Sequence, residues 1–312
     1  MRDDLKERFP RYVPLYYRVL VKTRKIYRQA MVRLAEVKVR SSANSNIIPD
    51  DDAVTFGGSG DISFDRSGWI NKSAAWINED MTVPGVAALT REIDALKKKL
   101  DEEGLKYTNT AGTFLSRMFY PRSEETKLWE NTWTLHCSGV RSAHRVLDIG
   151  GASTIFSFYL ASIGCSVSVI DNDWGNCGTL YNANYVAKKM GWNLKAYDRN
   201  IAKGLPFPDD HFDRVFSICT VEHLSSDVRR RMMREVGRVL KPGGIAGITM
   251  CYCNDLETLL VDKGLRFAFR TKLAADIIRP SGLKIYGNTN LVDEDLGNNF
   301  LGALFLVKEG ER

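Results

Sequence analysis

VLDIGGASTIFSFYLASIG, residues 146–164, places an apolar run, an acid, two glycines and a polar turn ahead of a second apolar run. Val146, Leu147 and Ile149 read as a strand buried on both faces, and residues 155–161 read as a helix. Between them Gly150 and Gly151 let the backbone turn closely against a ligand, while Ser153 and Thr154 are helix-capping residue types. Asp148 stands near the strand's carboxyl end. This is the geometry of a nucleotide-type cofactor site, although a purely structural strand-to-helix turn uses the same residues.

The next strand-like run, 166–170, ends at Asp171, 23 residues beyond Asp148 and near the spacing at which an acid meets ribose hydroxyls. A carboxylate there accepts two hydrogen bonds from a vicinal diol. The alternative is a cap for a helix over 177–190, which Asp173 fits better. Trp174 offers a ring to stack on a flat heterocycle or to bury in the core. A third run, 193–196, leads to Asp198. Residues 204–225, GLPFPDDHFDRVFSICTVEHLS, then hold Pro206 and Pro208 extended before a strand carrying Phe212, Val215, Phe216 and Ile218. Val228, Met232, Val236 and Val239 share a helical face over 227–240. KPGG at 241–244 ends that helix, and 245–250 reads as the next strand.

From about 146 to 250 the chain resembles the cofactor domain of class I S-adenosylmethionine-dependent methyltransferases, most like the group acting on small molecules, lipids and sugars. VLDIGG, Asp171, Asp198, LPFPDDHFDRVFS, EHL and RVLKPGG occur in that family's order. The resemblance implies an α/β fold: a doubly wound, seven-stranded, mostly parallel sheet, preceded by an N-terminal accessory region. It implies S-adenosylmethionine as cofactor and S-adenosylhomocysteine as product. Asp148, Gly150 and Gly151 would sit against the methionine moiety, Asp171 on the ribose and Asp198 on the adenine amino group. A segment ahead of the first strand folds over the cofactor in such enzymes, which gives Tyr120 and Arg122 places beside its methionine end. The family's more usual turn has three spaced glycines, where this one reads Gly150, Gly151, Ala152, Ser153. A dinucleotide would need glycines where its pyrophosphate meets the helix, and no GxGxxG pattern is present.

At 312 residues and 44% hydrophobic, the chain can bury one large core and a smaller accessory layer, divided here as 1–110 and 111–312. The net charge of +6 is uneven: residues 1–40 hold 12 Lys or Arg against 4 Asp or Glu, so this arm is +8 and the remainder −2. Tyr16, Leu20, Ile26, Tyr27, Met31 and Leu34 alternate with its basic residues. Such a helix suits an anionic membrane surface or a homodimer contact, with nucleic acid a lesser alternative, and packing on the catalytic domain explains it as well. Residues 41–67 read as a polar loop, with a hairpin across GGSGD as an option, and 84–103 as a helix presenting Val86, Leu89, Ile93, Leu96 and Leu100. Six scattered cysteines and four histidines form no compact metal-ligand cluster, and the thiols are expected reduced. Without an apolar run of membrane-spanning length or a leader-like start, the expected location is cytoplasmic, with a peripheral place at the membrane as the variant.

Two places offer acceptor-handling groups. In FYPRSEETKLWENTW, 119–133, a helix capped by Ser123 would put Glu125, Trp129 and Trp133 on one face, to floor the pocket or simply to pack. Glu222 and His223 fall at the carboxyl end of the fourth strand, where open α/β sheets expose their crevice; either can take a proton or orient an acceptor. After the fifth strand, Phe267, Phe269 and Ile277 offer apolar contacts, and Lys263, Arg266, Arg270 and Lys272 offer steering charge. The expected reaction is methyl transfer to an oxygen or nitrogen of a small-molecule, sugar or lipid-linked acceptor. RNA methylation and a non-catalytic cofactor-binding scaffold are the alternatives. No Asp/Asn-Pro-Pro-aromatic signature for base amines and no Pro-Cys signature for cytosine occurs after the fourth strand.

Overall fold

The structure, a computed structural model, describes residues 70–71, 78–107, 123–172, 178–251, 273–287 and 301–310. The basic arm, the hairpin option, Tyr120, Arg122, Asp173, Trp174 and the 255–272 segment with its phenylalanines and basic residues lie outside the described residues.

Seven strands form one sheet in the order β3-β2-β1-β4-β5-β7-β6. They are β1 (Arg145–Ile149), β2 (Ser166–Asp171), β3 (Leu194–Asp198), β4 (Phe212–Ile218), β5 (Leu240–Cys251), β6 (Lys284–Ile285) and β7 (Leu301–Val307). β1 to β5 are parallel, and β7 lies antiparallel between β5 and β6. Val146, Leu147, Asp148 and Ile149 are all buried, as a central parallel strand covered on both faces requires.

The helices are α1 (Asn78–Thr82), α2 (Pro84–Glu102), α3 (Ser123–Ser138), α4 (Ile155–Ser162), α5 (Thr179–Met190), α6 (Ser226–Val239) and the short α7 (Arg279–Ser281). On α2, Ile93, Leu96 and Leu100 join Phe156, Phe158, Leu160 and residues of β1 to β3 in one apolar cluster, which also takes in Ala183 and Val186 of α5. The β1-α4-β2 and β4-α6-β5 crossovers step along the sheet in opposite directions, so right-handed connections put α4 and α6 on opposite faces. The strand order therefore reverses between β1 and β4, and that switch point opens a crevice at their carboxyl ends.

The KPGG segment differs from its expected role. α6 ends at Val239 with an extended Leu240 as its cap, and the strand begins at Leu240 rather than 245. Phe212 faces Leu240, yet Arg214 faces Ile245, so two residues of β4 span five of β5 and the glycines loop out as a bulge. Gly243 takes φ +75, and its N–H donates to Lys308 O at 2.8 Å. Ile277, expected at the acceptor, is buried in a π-helical turn (Ala274–Ile278) that packs on α6. No helix among the described residues is long and apolar enough to cross a membrane.

Candidate cofactor and acceptor site

Asp148 is 1% exposed at the end of β1. Ser157, in the first turn of α4, donates to its Oδ2, while Oδ1 is buried with no hydrogen-bond partner among the described residues. Burial pushes the carboxyl up to about 7; the Ser157 hydrogen bond opposes this and the charge of Asp171 adds to it. Thr154 caps α4 by accepting the Ser157 N–H at 3.3 Å, whereas Ser153 points elsewhere and donates to Thr179 O.

The glycines are needed for reasons the sequence did not display. Gly150 has φ +85, and a β-carbon there would collide with the Thr220 side chain; at Gly151 one would collide with the Asp148 carboxyl and come within 2.6 Å of Ser157 Oγ. The turn makes room for neighbouring protein atoms. Ala152 follows with φ +36, a left-handed value that an L-residue adopts under strain.

Asp171 and Asp198 are direct register partners at the ends of β2 and β3. Asp171 is half-buried and its Oδ1 accepts the Asn172 N–H at 2.6 Å; Asp198 is exposed. Asp148, Asp171 and Asp198 thus line one edge of the sheet, leading away from the switch point.

Across the crevice β4 is followed by Cys219 at φ +50, then Thr220 and a 3₁₀ turn (Val221–His223). Glu222 is buried in that turn and His223 is exposed. Arg229, buried on α6, ties the turn down: its guanidinium donates to Leu224 O at 2.5 Å and Val221 O at 3.4 Å, and to Asp276 Oδ2 at 2.8 Å. Asp276 also receives Arg230 at 2.9 Å.

Behind Cys219 lies a buried charged cluster. Glu130 on α3 is fully buried; its Oε1 accepts the Cys219 thiol at 2.6 Å and the Thr249 hydroxyl at 2.9 Å, and its Oε2 pairs with Lys127 Nζ at 2.6 Å. Burial alone would lower the Lys127 pKa, but Cys219 and Glu130 outweigh it and hold the ammonium well above its ordinary range. Sequence reading missed this cluster. Lys127 and Glu130 are a visible i,i+3 pair, but Cys219 is 89 residues further on.

α3 corrects another expectation. Trp129 and Trp133 do not floor a pocket: both are buried and stacked with centroids 6.0 Å apart, in a cluster with Val86, Ile245, Ala303 and Phe305. Their indole N–H groups donate to Asp80 Oδ2 at 2.9 Å and Ile70 O at 3.0 Å. Glu125, near the start of the helix, is exposed. Among the described residues no group of three His, Cys, Asp or Glu side chains could hold a metal ion.

The residues fit a cationic, ribose-bearing cofactor. Asp148 Oδ1 is a buried carboxyl oxygen with no hydrogen-bond donor among the described residues, and Asp171 and Asp198 are acceptor-bearing register partners at the ends of β2 and β3, groups that could receive hydroxyl and amino donors.

The methyltransferase domain family matches residues 146–244. The chain is 31% identical over 131 residues to the ubiquinone/menaquinone biosynthesis C-methyltransferase UbiE of Pasteurella multocida, covering 38% of this chain and 43% of that protein. It is 34% identical over 122 residues to the enzyme of the same name from Pseudomonas paraeruginosa, covering 38% and 45%. The chain thus spans less than half the length of the curated relatives it matches. A SAM-dependent methyltransferase structure from Methanosarcina mazei aligns over 57% of this chain and 97% of that one, at 22% identity and a TM-score of 0.45. With the motif order, the switch-point crevice and the family match all falling on the same residues, 146–244 form a class I S-adenosylmethionine-dependent methyltransferase domain.

Proposed function

We propose that the whole chain is an enzyme that transfers the methyl group of S-adenosylmethionine to an oxygen or nitrogen of a small-molecule, sugar or lipid-linked acceptor. The observation that carries this reading is the buried Asp148 carboxyl at the switch point, with one oxygen lacking a donor among the described residues. Bound there, the cofactor supplies a methyl group already activated by a sulfonium charge. The chain's own residues then have four tasks. Asp148 provides negative charge beside the cofactor's cationic end. Asp171 accepts from the ribose hydroxyls, and Asp198 accepts from the adenine amino group. Tyr120, Arg122 and Trp174 complete the cofactor's surroundings in this proposal. Glu222, His223 and Glu125 border the acceptor, where they orient it and take the proton released when a hydroxyl or amine is methylated.

A second reading has specific support: the curated relatives are named as C-methyltransferases. Transfer to carbon would require the same crevice but an electron-rich carbon in line with the methyl group. The +8 arm is proposed to dock the enzyme on an anionic membrane surface, which suits a lipid-linked acceptor.

Titration calorimetry with S-adenosylmethionine and S-adenosylhomocysteine, followed by mass-spectrometric screening of cell extracts with isotope-labelled methyl donor, tests the proposal. Binding of both ligands and a labelled product of low mass are expected. Labelled RNA in preference to metabolites or lipids would select the RNA alternative, and binding without any labelled product the scaffold alternative.

A further inference from the structure

Glu130 lies behind the crevice wall, and its surroundings go beyond what joining α3 to the sheet requires. Lys127 neutralises it and Thr249 ties it to β5. Those two contacts suffice to keep a buried carboxylate from being stranded without partners. The third contact goes to Cys219, a residue at φ +50 in the loop leaving β4. An L-residue holds such a backbone only where its surroundings impose it. Here the backbone N–H of Cys219 is bound by Thr249 through both carbonyl and hydroxyl, at 3.1 and 3.2 Å, and its side chain by Glu130. The next residue, Thr220, fills the space over Gly150, and the turn with Glu222 and His223 follows directly.

We propose that Glu130 is a positioning residue for the crevice: its buried carboxyl, held between Lys127 and Thr249, locks Cys219 in the left-handed turn and thereby sets Thr220 against the Gly150–Gly151 turn. Glu130 itself touches no ligand. The identity of the ligand rests on the methyltransferase reading above, whereas the coupling between Glu130 and the two turns is a property of the chain alone.

The test uses the full chain and two readouts. Glu130→Gln keeps the shape of the side chain and removes its charge; Cys219→Gly accepts a left-handed φ without needing a hold. Hydrogen–deuterium exchange is measured on peptides covering 148–152 and 218–224, and S-adenosylhomocysteine affinity by calorimetry, in the wild type, each single variant and the double variant. The expected result is that Glu130→Gln raises exchange at both turns and weakens affinity about tenfold, the loss of one charged hydrogen bond. In the Cys219→Gly background the same substitution should change either readout by less than about twofold. Equal effects in both backgrounds would make Glu130 an ordinary structural residue, and no effect in either would remove the coupling altogether. Thr249→Val, which deletes one hydroxyl from the same cluster, is read identically if Glu130→Gln fails to fold. A wild type that binds neither cofactor nor product would defeat the methyltransferase reading, while the exchange data would still decide the coupling.

Discussion

Thr220 occupies the space that a β-carbon on Gly150 would need, so the ends of β1 and β4 close on each other only because residue 150 has no side chain. Gly150→Ala meets two separate penalties, the φ of +85 and the collision. The first costs about 1–2 kcal/mol whatever the space. Chemical denaturation should show a loss of at least that size. Thr220→Ala in the same background should return only the part due to the collision. Full recovery in the double variant would mean that backbone strain contributes nothing.

Asp148 sets a pH dependence. Its carboxyl is pushed up to about 7 by burial in the fold, against 3.8 when free. Between those values the folded chain holds a proton that the unfolded chain has released, so stability falls as pH rises through the window and levels off above it. The full shift corresponds to at most about 4 kcal/mol. A cationic ligand prefers the ionised form, so S-adenosylmethionine affinity should climb from pH 5.5 towards about pH 7 with proton release, a range set by that same carboxyl. Asp148→Asn should flatten the stability slope, and calorimetry in buffers of different ionisation heat counts the proton. A slope unchanged in the variant would reassign the titration.

Asp171→Ala should weaken cofactor binding by about 1.5–3 kcal/mol, the value of a charged hydrogen-bonding partner. Asp173→Ala should weaken it less. The comparison is made by calorimetry on variants with matched thermal midpoints, and equal affinities for both variants and wild type would detach Asp171 from the ribose.

Arg229 carries both a buried ion pair to Asp276 and the carbonyls of Val221 and Leu224 in the turn with Glu222 and His223. Arg229→Met should destabilise the fold by about 3–5 kcal/mol, because it strips a partner from a buried carboxylate. Arg229→Lys should recover little, since a single ammonium cannot span Asp276 and Leu224 as the planar fork does. Arg229→Met with Asp276→Leu should be more stable than Arg229→Met alone, as read by urea unfolding.

Removing residues 1–40 should abolish association with phosphatidylserine vesicles while leaving cofactor affinity within about twofold of the full chain, given about 1 kcal/mol of attraction per basic residue at such a surface. Association of the full chain should weaken as salt rises. A truncated chain that still sediments with the vesicles would refute the docking role.

The sheet and its helices were legible because their signals are local. The apolar run of β1, the capping Thr154 and the spacing of Ile93, Leu96 and Leu100 on α2 all lie within one element. KPGG was read as a stop for α6, which it follows, but its bulge depends on pairing with Phe212 and Arg214 and is invisible without the partner strand. Asp171 stood out by its spacing from Asp148 and Asp198 by the family resemblance, and the strand register sets the two side by side at the ends of β2 and β3. Trp129 and Trp133 were ambiguous because an indole suits a pocket and a core equally; the buried Asp80 and the Ile70 carbonyl settle it as core. Glu130, Cys219 and Thr249 come from three elements, and no periodicity links them.

The antiparallel pairing of β5 and β7 sets Cys251 opposite Leu301, so the chain leaves β5 and enters β7 at the same height. The two ends of the 252–300 excursion are therefore neighbours, while its described middle is tied to the core by β6 on β7 and by Asp276 on Arg229. Lengthening such an excursion costs little, because loop-closure entropy grows only with the logarithm of length. Changes in length that spare 273–287 are therefore expected to leave β1 to β5 in register, whereas replacing the whole stretch would remove Asp276 and with it the anchor of the turn that Arg229 ties down.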